Sequence, residues 1–332
     1  MDRELALEVV RVTETAALAC APWMGRGDKN AADGAATRAM RMMFDSVSVR
    51  GTIVIGEGEM DEAPMLYIGE KVGKGEGMEV DVAVDPLEGT ENLAKGLDNS
   101  LSVIAMAPKG KLLHAPDMYM YKLAVGPELA GRFSLEQPLD QIVREAAGIL
   151  NKKVSDFTVM ILDRERHRRE IELLRSIGAR IKLLSNGDVA GAIATAFPES
   201  GIDMYVGAGG APEGVLAAAA LKCLGGEMQG RLKPENEAQY ERCVRMGMRD
   251  PQKILSMDDL VGDSDIIFAA TGITNGDLLK GVRYLSHNKV ITHSMVMRAK
   301  TRTIRFIESI HYLPGKPYLQ DILDEADFSA AT

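Results

Sequence analysis

The segment Asp85-Pro86-Leu87-Glu88-Gly89-Thr90 organises the interpretation of this chain. It follows residues 80–84, a short β-branched run that predicts a buried strand. Pro86 is expected to end the strand ladder, Gly89 to permit a tight turn, and Thr90 to cap a helix over 91–95. Both acids would then lie at the carboxyl end of a strand, where open α/β sheets bind ligands. The amides at the start of the helix suit an anion such as phosphate.

Two acids beside an anion site would repel phosphate unless a divalent cation lay between them. The segment therefore suggests metal-assisted phosphate chemistry. Taken alone, it fits equally well a strand-end turn with a capped helix and two solvated acids, so the rest of the sequence must separate the two interpretations.

Composition limits the classes of protein to which the chain can belong. Its 332 residues suffice for one large domain or two lobes, and 46% hydrophobic with 26% charged residues is typical of a globular protein. The charged start and the lack of a long apolar run argue against a secretory signal or a membrane span. Three widely spaced cysteines predict reduced thiols in the cytoplasm. The formal charge of −9 argues against a nucleic-acid or anionic-membrane partner, so a phosphorylated substrate must meet local basic residues or metals.

The N-terminal part predicts two helices. Apolar positions at helical spacing indicate an opening helix over 3–20. A glycine-punctuated loop over 25–34 then leads into a second helix over 35–44, for which Asp33 is a natural N-cap. By default, Lys29 would be a solvated lysine of that loop.

A second acidic strand end precedes the first in the chain. The predicted strand 51–55 runs directly into Gly56-Glu57-Gly58-Glu59-Met60-Asp61-Glu62. If the backbone is extended there, Glu57, Glu59 and Asp61 project to one side and favour a cation. Their hard oxygen ligands suit Mg²⁺ or Mn²⁺. A solvated turn is the alternative, but another acidic strand end at Asp85 favours the metal site.

The rest of the chain alternates strand and helix patterns. The predicted strands are 100–107, 157–162, 180–184, 202–206 and 265–270, and the predicted helices include 165–176 and 189–196. This alternation indicates βαβ units with helices on the faces of a sheet. A Gly- and Pro-rich stretch over 126–140 is the best candidate for a boundary between lobes, and the tail beyond Pro314 is expected to be loosely held.

Three loops of the second half carry candidate chemistry. The basic cluster 163–169 is either a solvated helical face or an arginine clamp for phosphate. Residues 185–188 form a turn and N-cap by default. The glycine-rich loop 207–214 lacks the dinucleotide fingerprint because Pro212 stands where a glycine or alanine is needed. Pro212 followed by Glu213 instead predicts a helix start, near 215, that presents a carboxylate to a glycine-lined pocket.

Other chemistry-bearing residues give weaker signals. The five histidines form no ligand spacing and are expected to be surface or hydrogen-bonded core residues. Tyr119 and Tyr121 alternate and are packing residues by default. The sequence offers no clear Ser-His-Asp or Cys-His arrangement, so a covalent nucleophile is not favoured.

Several motifs together carry a family likeness. The segment 85–90 resembles the Asp-Pro-x-Asp/Glu-Gly-Thr motif of the lithium-sensitive, metal-dependent sugar and inositol phosphatase superfamily. Residues 56–65, 114–120 and 209–214 resemble one branch in particular, the bacterial class II fructose-1,6-bisphosphatases. The likeness extends from about Glu4 to about Leu313.

The resemblance implies a fold and a metal site. The fold would be α/β, a layered α-β-α-β-α sandwich of the inositol monophosphatase type, forming one unit over 1–332. Residues 1–135 would be a metal- and phosphate-binding lobe, residues 136–313 a sugar-phosphate-binding lobe, and 314–332 the tail. Two or more Mn²⁺ or Mg²⁺ ions would be bound, one by Asp33 and Glu57 and another by Asp85, Glu88 and Glu213.

The resemblance also implies the substrate contacts and catalytic residues. The expected substrate contacts are Glu88, Gly89, Thr90, Tyr119, Arg164, Glu165, Arg166, Asn186, Gly187, Asp188 and Gly210. The expected catalytic residues are Lys29, Glu59, Asp61 and Thr90, with Thr90 orienting or deprotonating the attacking water. Arg166 and its neighbours would hold a second phosphate. Asn186 departs from the pattern, since family members often have aspartate there.

The implied reaction is hydrolysis of the 1-phosphate of D-fructose 1,6-bisphosphate in gluconeogenesis. Sedoheptulose 1,7-bisphosphate is the alternative substrate, alone or as a second activity. A catalytically silent sugar-phosphate-binding regulator is the remaining alternative, although such a protein would not need a water-activating set of residues. A cytoplasmic homo-oligomer, a dimer or tetramer, is the family expectation.

Overall fold

A computed structural model of the chain describes residues 1, 4–58, 63–248 and 250–328. The expectations for Glu59 and Asp61 lie outside the described residues. The α-helices of the described chain are α1 (Leu5–Cys20), α2 (Lys29–Phe44), α3 (Thr90–Lys95), α4 (Leu139–Ile149), α5 (Arg168–Ser176), α6 (Val189–Ala194), α7 (Ala211–Leu224), α8 (Glu237–Arg245), α9 (Met257–Val261) and α10 (Gln320–Phe328). Its strands are β1 (Arg50–Ile55), β2 (Lys71–Val72), β3 (Glu79–Glu88), β4 (Leu101–Pro108), β5 (Tyr119–Val125), β6 (Thr158–Leu162), β7 (Arg180–Leu184), β8 (Met204–Gly210), β9 (Glu227–Leu232), β10 (Ile267–Gly272), β11 (Arg283–Tyr284), β12 (Lys289–Arg298) and β13 (Thr303–Tyr312).

The chain divides into two compact units. The first joins Met1–Gly110 to the chain from Asp265 onward, and the second is Lys111–Ser264. This division differs from the single boundary at 135 expected from the sequence. The reason is long-range pairing, because β10 returns to lie antiparallel to β4, with Ile267 opposite Met106.

The first unit is built on a mixed sheet. β1 and β3 are parallel, β3, β4, β10, β12 and β13 form a consecutive antiparallel series, and β2 pairs with β1. β3 continues through Pro86 to Glu88, so the expectation that Pro86 ends the strand is wrong. The register with β4 shifts between Asp85 and Glu88. Such an irregularity tolerates proline because the residues within it need not donate to the ladder.

Helix α1 is mostly buried and packs against α2 and the first sheet. Its polar residues find partners there: the Thr13 hydroxyl lies 2.8 Å from that of Thr271, and Thr271 lies 2.8 Å from Ser294 Oγ. Thr292 Oγ1 donates to Glu14 Oε1 at 3.2 Å and lies 2.8 Å from His311 Nε2. These bonds satisfy polar groups that would otherwise destabilise a buried interface.

The start of α2 and the C-terminal segment both differ from the expectations. α2 begins at Lys29, six residues before the predicted start, and Asp28 rather than Asp33 is its N-cap. The Asp28 carboxylate accepts from Ala31 N–H at 2.9 Å, which leaves Asp33 inside the helix. Beyond Pro314 the described residues up to 328 differ from the expected loose tail, because Leu319 and Ile322 pack into the core of the first unit.

The second unit contains a five-stranded sheet in the order β7-β6-β8-β5-β9. β6 is parallel to β7 and β8, whereas β5 is antiparallel to β8 and β9. Side chains of α4 and α5 share one core with β5, β6 and β8. On the other face, Gly191 of α6 packs close to Met160 and Gly214 of α7 packs close to Met120.

The α/β class predicted from the sequence is confirmed by the two mixed sheets and their helices. The predicted glycine-rich loop is wrong in part, because β8 extends through Gly210 and α7 begins at Ala211 rather than near 215. Likewise, α5 starts at Arg168, after a short 3₁₀ turn over 165–167. No helix of the described residues has the length and apolar character needed to cross a bilayer.

Candidate functional site

Two neighbouring parallel strands bring the predicted acidic residues of the first unit to one edge of its sheet. Ile55 at the end of β1 is opposite Ala83 of β3. Glu57 and Asp85 each lie two residues beyond this matched pair. Because the carboxyl ends of parallel strands meet at one edge, both acidic segments emerge on the same side of the sheet.

The carboxyl groups of Asp33 and Glu57 are close enough to affect each other's pKa. Burial raises the pKa of Glu57 to about 8, with the negative charge of Asp33 acting in the same direction, and burial also raises the pKa of Asp33. The backbone before Glu57 is tightly held, since a Cβ on Gly56 would lie 1.9 Å from Leu66 O. A carboxyl pair that resists full ionisation without a counter-charge is the electrostatic arrangement expected of a cation site.

Asp85 and Glu88 form a second pair of carboxylates at the irregular end of β3. An oxygen of each lies within 4.8 Å of the other. The turn itself holds Asp85, whose Oδ1 accepts from Leu87 N–H at 3.1 Å, and Glu88 is buried. Paired carboxylate oxygens are the ligands that Mg²⁺ and Mn²⁺ prefer.

Thr90 follows this pair but does not cap α3 with its side chain. Gly89 occupies the capping position in the left-handed region, with φ of 79°. Thr90 is therefore the first residue inside the helix, and its hydroxyl donates to Leu87 O at 3.0 Å. The predicted capping role is thus wrong, because the hydroxyl proton is directed back at the preceding turn.

Lys29 lies one helical turn before Asp33. It is the first residue of α2 and is exposed. A spacing of four residues places both side chains on the same face of the helix. The default prediction of a lysine in a loop is wrong, since the helix starts at Lys29 itself.

Asp188 of the second unit is a buried carboxylate with strong partners. Its Oδ2 lies 2.7 Å from Lys122 Nζ and accepts from the Tyr205 hydroxyl at 2.9 Å. A Cβ on Gly209 would lie 1.9 Å from the same oxygen. Gly209 is therefore required for space, because the carboxylate packs directly against the backbone of β8.

Glu213 makes the corresponding contact with the next glycine. It lies in the first turn of α7, and a Cβ on Gly210 would lie 1.8 Å from Glu213 Oε2. The two consecutive glycines at the end of β8 thus admit two carboxylates, Asp188 and Glu213. The space needed for these carboxylates explains why glycines occur here, so a dinucleotide-binding loop is not required.

Arg166 lines an open cavity of about 730 Å³ within the second unit. Its Nε and Nη2 donate to Ala208 O at 3.0 and 2.7 Å, and its guanidinium lies 4.5 Å from the centroid of the Tyr119 ring. The face of the tyrosine ring attracts the positive charge of the guanidinium and so helps to hold Arg166 in this position. Arg231 and Lys233 also line the cavity and were missed by the sequence analysis.

No motif marks Arg231 and Lys233, and the available signal is weak. Arg231 lies in β9 and Lys233 directly follows its last residue. β9 pairs antiparallel with β5, so that Tyr121 is opposite Arg231. Lys233 N–H donates to Tyr119 O at 2.8 Å, which places Lys233 beside Tyr119. Only this pairing reveals that the basic residues share a cavity with Arg166.

The other expected contacts of the second unit occupy the neighbouring loops. Arg164 donates to Asp163 O at 3.0 Å, and exposed Glu165 forms an ion pair with Arg168 at 3.0 Å. Asn186 Oδ1 accepts from Gly187 N–H at 2.9 Å. The cavity lining in the described part of the chain includes neither Arg164 nor Glu165.

Comparisons with known proteins agree with the motifs. A sequence model of the family described as bacterial fructose-1,6-bisphosphatase, glpX-encoded, matches residues 3–311. The chain is 49% identical over 326 residues to fructose-1,6-bisphosphatase class 2 of Haemophilus influenzae, covering 94% of this chain and 97% of that relative. It is 50% identical over 329 residues to fructose-1,6-bisphosphatase 1 class 2 of Escherichia coli K12, covering 95% and 97%. The resemblance noted in the sequence is confirmed, and the chain belongs to the glpX-encoded family of bacterial fructose-1,6-bisphosphatases.

Proposed function

We infer that this chain is a fructose-1,6-bisphosphatase. It hydrolyses the 1-phosphate of D-fructose 1,6-bisphosphate to give D-fructose 6-phosphate and phosphate, a reaction of gluconeogenesis. The observation that carries this conclusion is about 50% identity, over nearly the full length, to relatives that bear this name. Uncatalysed hydrolysis of phosphate monoesters is so slow that catalysis must supply up to ~10²¹-fold in rate.

We propose that two or more Mn²⁺ or Mg²⁺ ions bind per chain. Asp33 and Glu57 would hold one ion, and Asp85 and Glu88 would hold another together with Glu213. The residues fit such ions, because each pair offers hard oxygen ligands and a bound cation would offset the burial and the Asp33 charge that raise the pKa of Glu57. The assignment of Glu213 rests on the motif resemblance. When bound, divalent ions neutralise phosphoryl oxygens and lower the pKa of water.

We propose that Thr90 orients the attacking water as a hydrogen-bond acceptor. Its hydroxyl proton is directed at Leu87 O, so the lone pairs of its oxygen are the part that can receive a hydrogen bond from water. A carboxylate such as that of Glu59 or Asp61 would then act as the base that removes the proton from the water. Lys29, on the same helical face as Asp33, would offset negative charge on the reacting phosphoryl group.

The second phosphate of the substrate would bind in the cavity of the second unit. Arg166, Arg231 and Lys233 supply three positive charges there, against the negative charge of Glu235, and Arg231 also lies 3.6 Å from Glu136. Arg231 Nε is buried and has no hydrogen-bond partner among the described residues. Holding the second phosphate would position the first for attack.

The remaining proposed substrate contacts rest on the motif resemblance. They are Glu88, Gly89, Thr90, Tyr119, Arg164, Glu165, Asn186, Gly187, Asp188 and Gly210. Asp188 is already bonded to Lys122 and Tyr205, so it would act on the substrate mainly through the turn that it anchors.

We also propose a cytoplasmic homo-oligomer with no nucleic-acid partner. The net negative charge disfavours nucleic acid, and the three cysteines are buried as free thiols, which agrees with a reducing compartment. The oligomer is the expectation from the family resemblance.

The decisive experiment measures phosphate release from fructose 1,6-bisphosphate and sedoheptulose 1,7-bisphosphate. Both substrates should be tested with Mn²⁺, after exhaustive chelation, and after Mn²⁺ is restored. We expect turnover of the fructose substrate that chelation abolishes and Mn²⁺ restores. Full activity in excess chelator would refute the metal mechanism, and a clear preference for the seven-carbon substrate would change the assigned reaction.

A further inference from the structure

A histidine side chain connects two strands of the second unit at the point where they separate. β6 and β8 pair only at Val159–Met204 and Met160–Tyr205, and β6 ends at Leu162. β8 continues for several residues beyond this pairing. The His167 imidazole lies between the two strands there, with Nδ1 2.8 Å from Leu162 O and Nε2 accepting from Ala208 N–H at 2.8 Å.

These two bonds specify one protonation state. Nε2 must be unprotonated to accept from an amide, and Nδ1 must carry the proton to donate to a carbonyl. His167 is 1% exposed. Burial lowers its pKa, with Arg166 and Lys233 acting in the same direction and the Leu162 carbonyl and Glu170 opposing.

The backbone of β8 is shaped to receive the ring. Gly207 has a φ of +137°, and a Cβ there would lie 3.2 Å from both Cε1 and Nε2 of His167. A side chain at this position would be strained and would crowd the imidazole. The glycine therefore allows the ring to reach the next residue along the strand.

Ala208 couples this histidine to the arginine that precedes it. Its N–H is held by His167, and its carbonyl oxygen accepts both hydrogen bonds from Arg166. Fixing the N–H limits rotation of the strand at Ala208, and so fixes the direction of the carbonyl. That carbonyl in turn holds the guanidinium over Tyr119.

We propose that His167 is a positioning residue, which acts through Ala208 to hold the Arg166 guanidinium at the site for the second phosphate. This inference rests on the proposed role of Arg166. His167 does not itself touch the substrate. Its contribution is pre-organisation, because an arginine that is already oriented loses less conformational freedom when phosphate binds.

The first test compares two substrates in two variants. His167→Leu removes both hydrogen bonds and fills the space with an apolar side chain, whereas His167→Gln supplies an amide oxygen that can accept from Ala208 N–H. We expect His167→Leu to raise KM for fructose 1,6-bisphosphate roughly tenfold and His167→Gln to recover part of this loss. Activity on p-nitrophenyl phosphate, which has no second phosphate, should change by less than about twofold. Equal losses on both substrates would overturn the proposal.

Arg166→Ala and the double variant separate this inference from the function on which it rests. If Arg166→Ala leaves KM for the bisphosphate unchanged, the proposed role of Arg166 fails. If Arg166→Ala raises KM but His167→Leu does not, only the positioning role fails. When both hold, the double variant should show no greater KM than Arg166→Ala alone, because the two residues act through one contact.

Leu174→Ala is the control for a general loss of stability. Leu174 is fully buried in the core shared by α5 and the sheet. Its truncation should lower Tm while leaving the ratio of the two KM values unchanged. If Leu174→Ala changes that ratio as much as His167→Leu does, the effect of His167→Leu comes from destabilisation and the proposal is overturned.

A second measurement uses the parent protein and does not depend on any variant folding. The ¹⁵N spectrum of the histidine side chains at pH 7 should show His167 as the neutral form with hydrogen on Nδ1. An Nε2–H tautomer or a charged ring would overturn the proposal, because neither can accept from Ala208.

Discussion

Replacing Gly210 with alanine tests whether Glu213 must occupy the position seen beside the end of β8. Gly210 has φ of −62° and ψ of 142°, which any residue adopts, so the substitution introduces no backbone strain. The new Cβ would lie 1.8 Å from Glu213 Oε2. The carboxylate, at the end of a flexible side chain, must retreat by about 1.6 Å to reach ordinary van der Waals contact at 3.4 Å.

We expect Gly210→Ala to impair the metal site more than the fold. A misplacement of 1 Å can cost about 10²-fold in rate. We therefore expect kcat, measured at low Mn²⁺ concentration, to fall by about 10²-fold. The Mn²⁺ concentration for half-maximal activity should rise. The free energy of unfolding should change by only about 1 kcal/mol, since alanine is a poorer N-cap than glycine. The assay is kcat against Mn²⁺ concentration, with Tm measured on the same samples.

The matched control is Gly148→Ala in α4, where a Cβ would meet open space. That variant should keep parental kinetics and gain about 0.5–1 kcal/mol of stability. If Gly210→Ala acts by displacing Glu213, adding it to Glu213→Gln should cause no further loss. Parental Mn²⁺ dependence in Gly210→Ala, or fully additive losses in the double variant, would refute the reasoning.

Three further predictions concern Arg166, Thr90 and His311. Arg166→Ala should lose about 1.5–3 kcal/mol of charge-assisted binding, which raises KM for the bisphosphate roughly 10- to 150-fold. KM for a small aryl phosphate should change much less. Equal increases for both substrates would mean that Arg166 supports the reacting centre or the fold. Thr90→Ala should lower kcat by about 10²–10⁴-fold, whereas Thr90→Ser should keep much more activity, and both variants should keep their bound Mn²⁺. If kcat of the alanine variant is within about threefold of the parent, the catalytic role belongs to Glu59 or Asp61 instead. Burial lowers the pKa of His311 from 6.5 to about 4, so the unfolded chain binds this proton more readily and stability is lost as pH falls through that interval. Tm against pH should be flatter for His311→Gln, and an unchanged slope would count against this.

Local patterns predicted the pieces of the first acidic site well. The strand before Asp85 follows from its β-branched residues and the turn from Gly89, whereas β3 continues through Pro86 and Thr90 does not cap α3. Helix α1 was predicted almost to its ends. The two acidic strand ends meet at one edge because β1 and β3 are parallel, a pairing that local patterns did not specify. The cap of α2 was misassigned, because Asp28 and Asp33 are both competent caps and only the folded backbone shows which amide each one meets.

The sequence by itself determined the class of fold, the acidic segments and the family, because periodicity, caps and motifs are local and survive without knowledge of tertiary contacts. Only the tertiary structure decided which distant residues act together. Pairing of β9 with β5 brings Lys233 beside Tyr119, and the separation of β6 from β8 leaves a space that His167 fills. Such contacts depend on strand register and on small shifts of backbone, which are set by packing over the whole unit rather than by neighbouring residues.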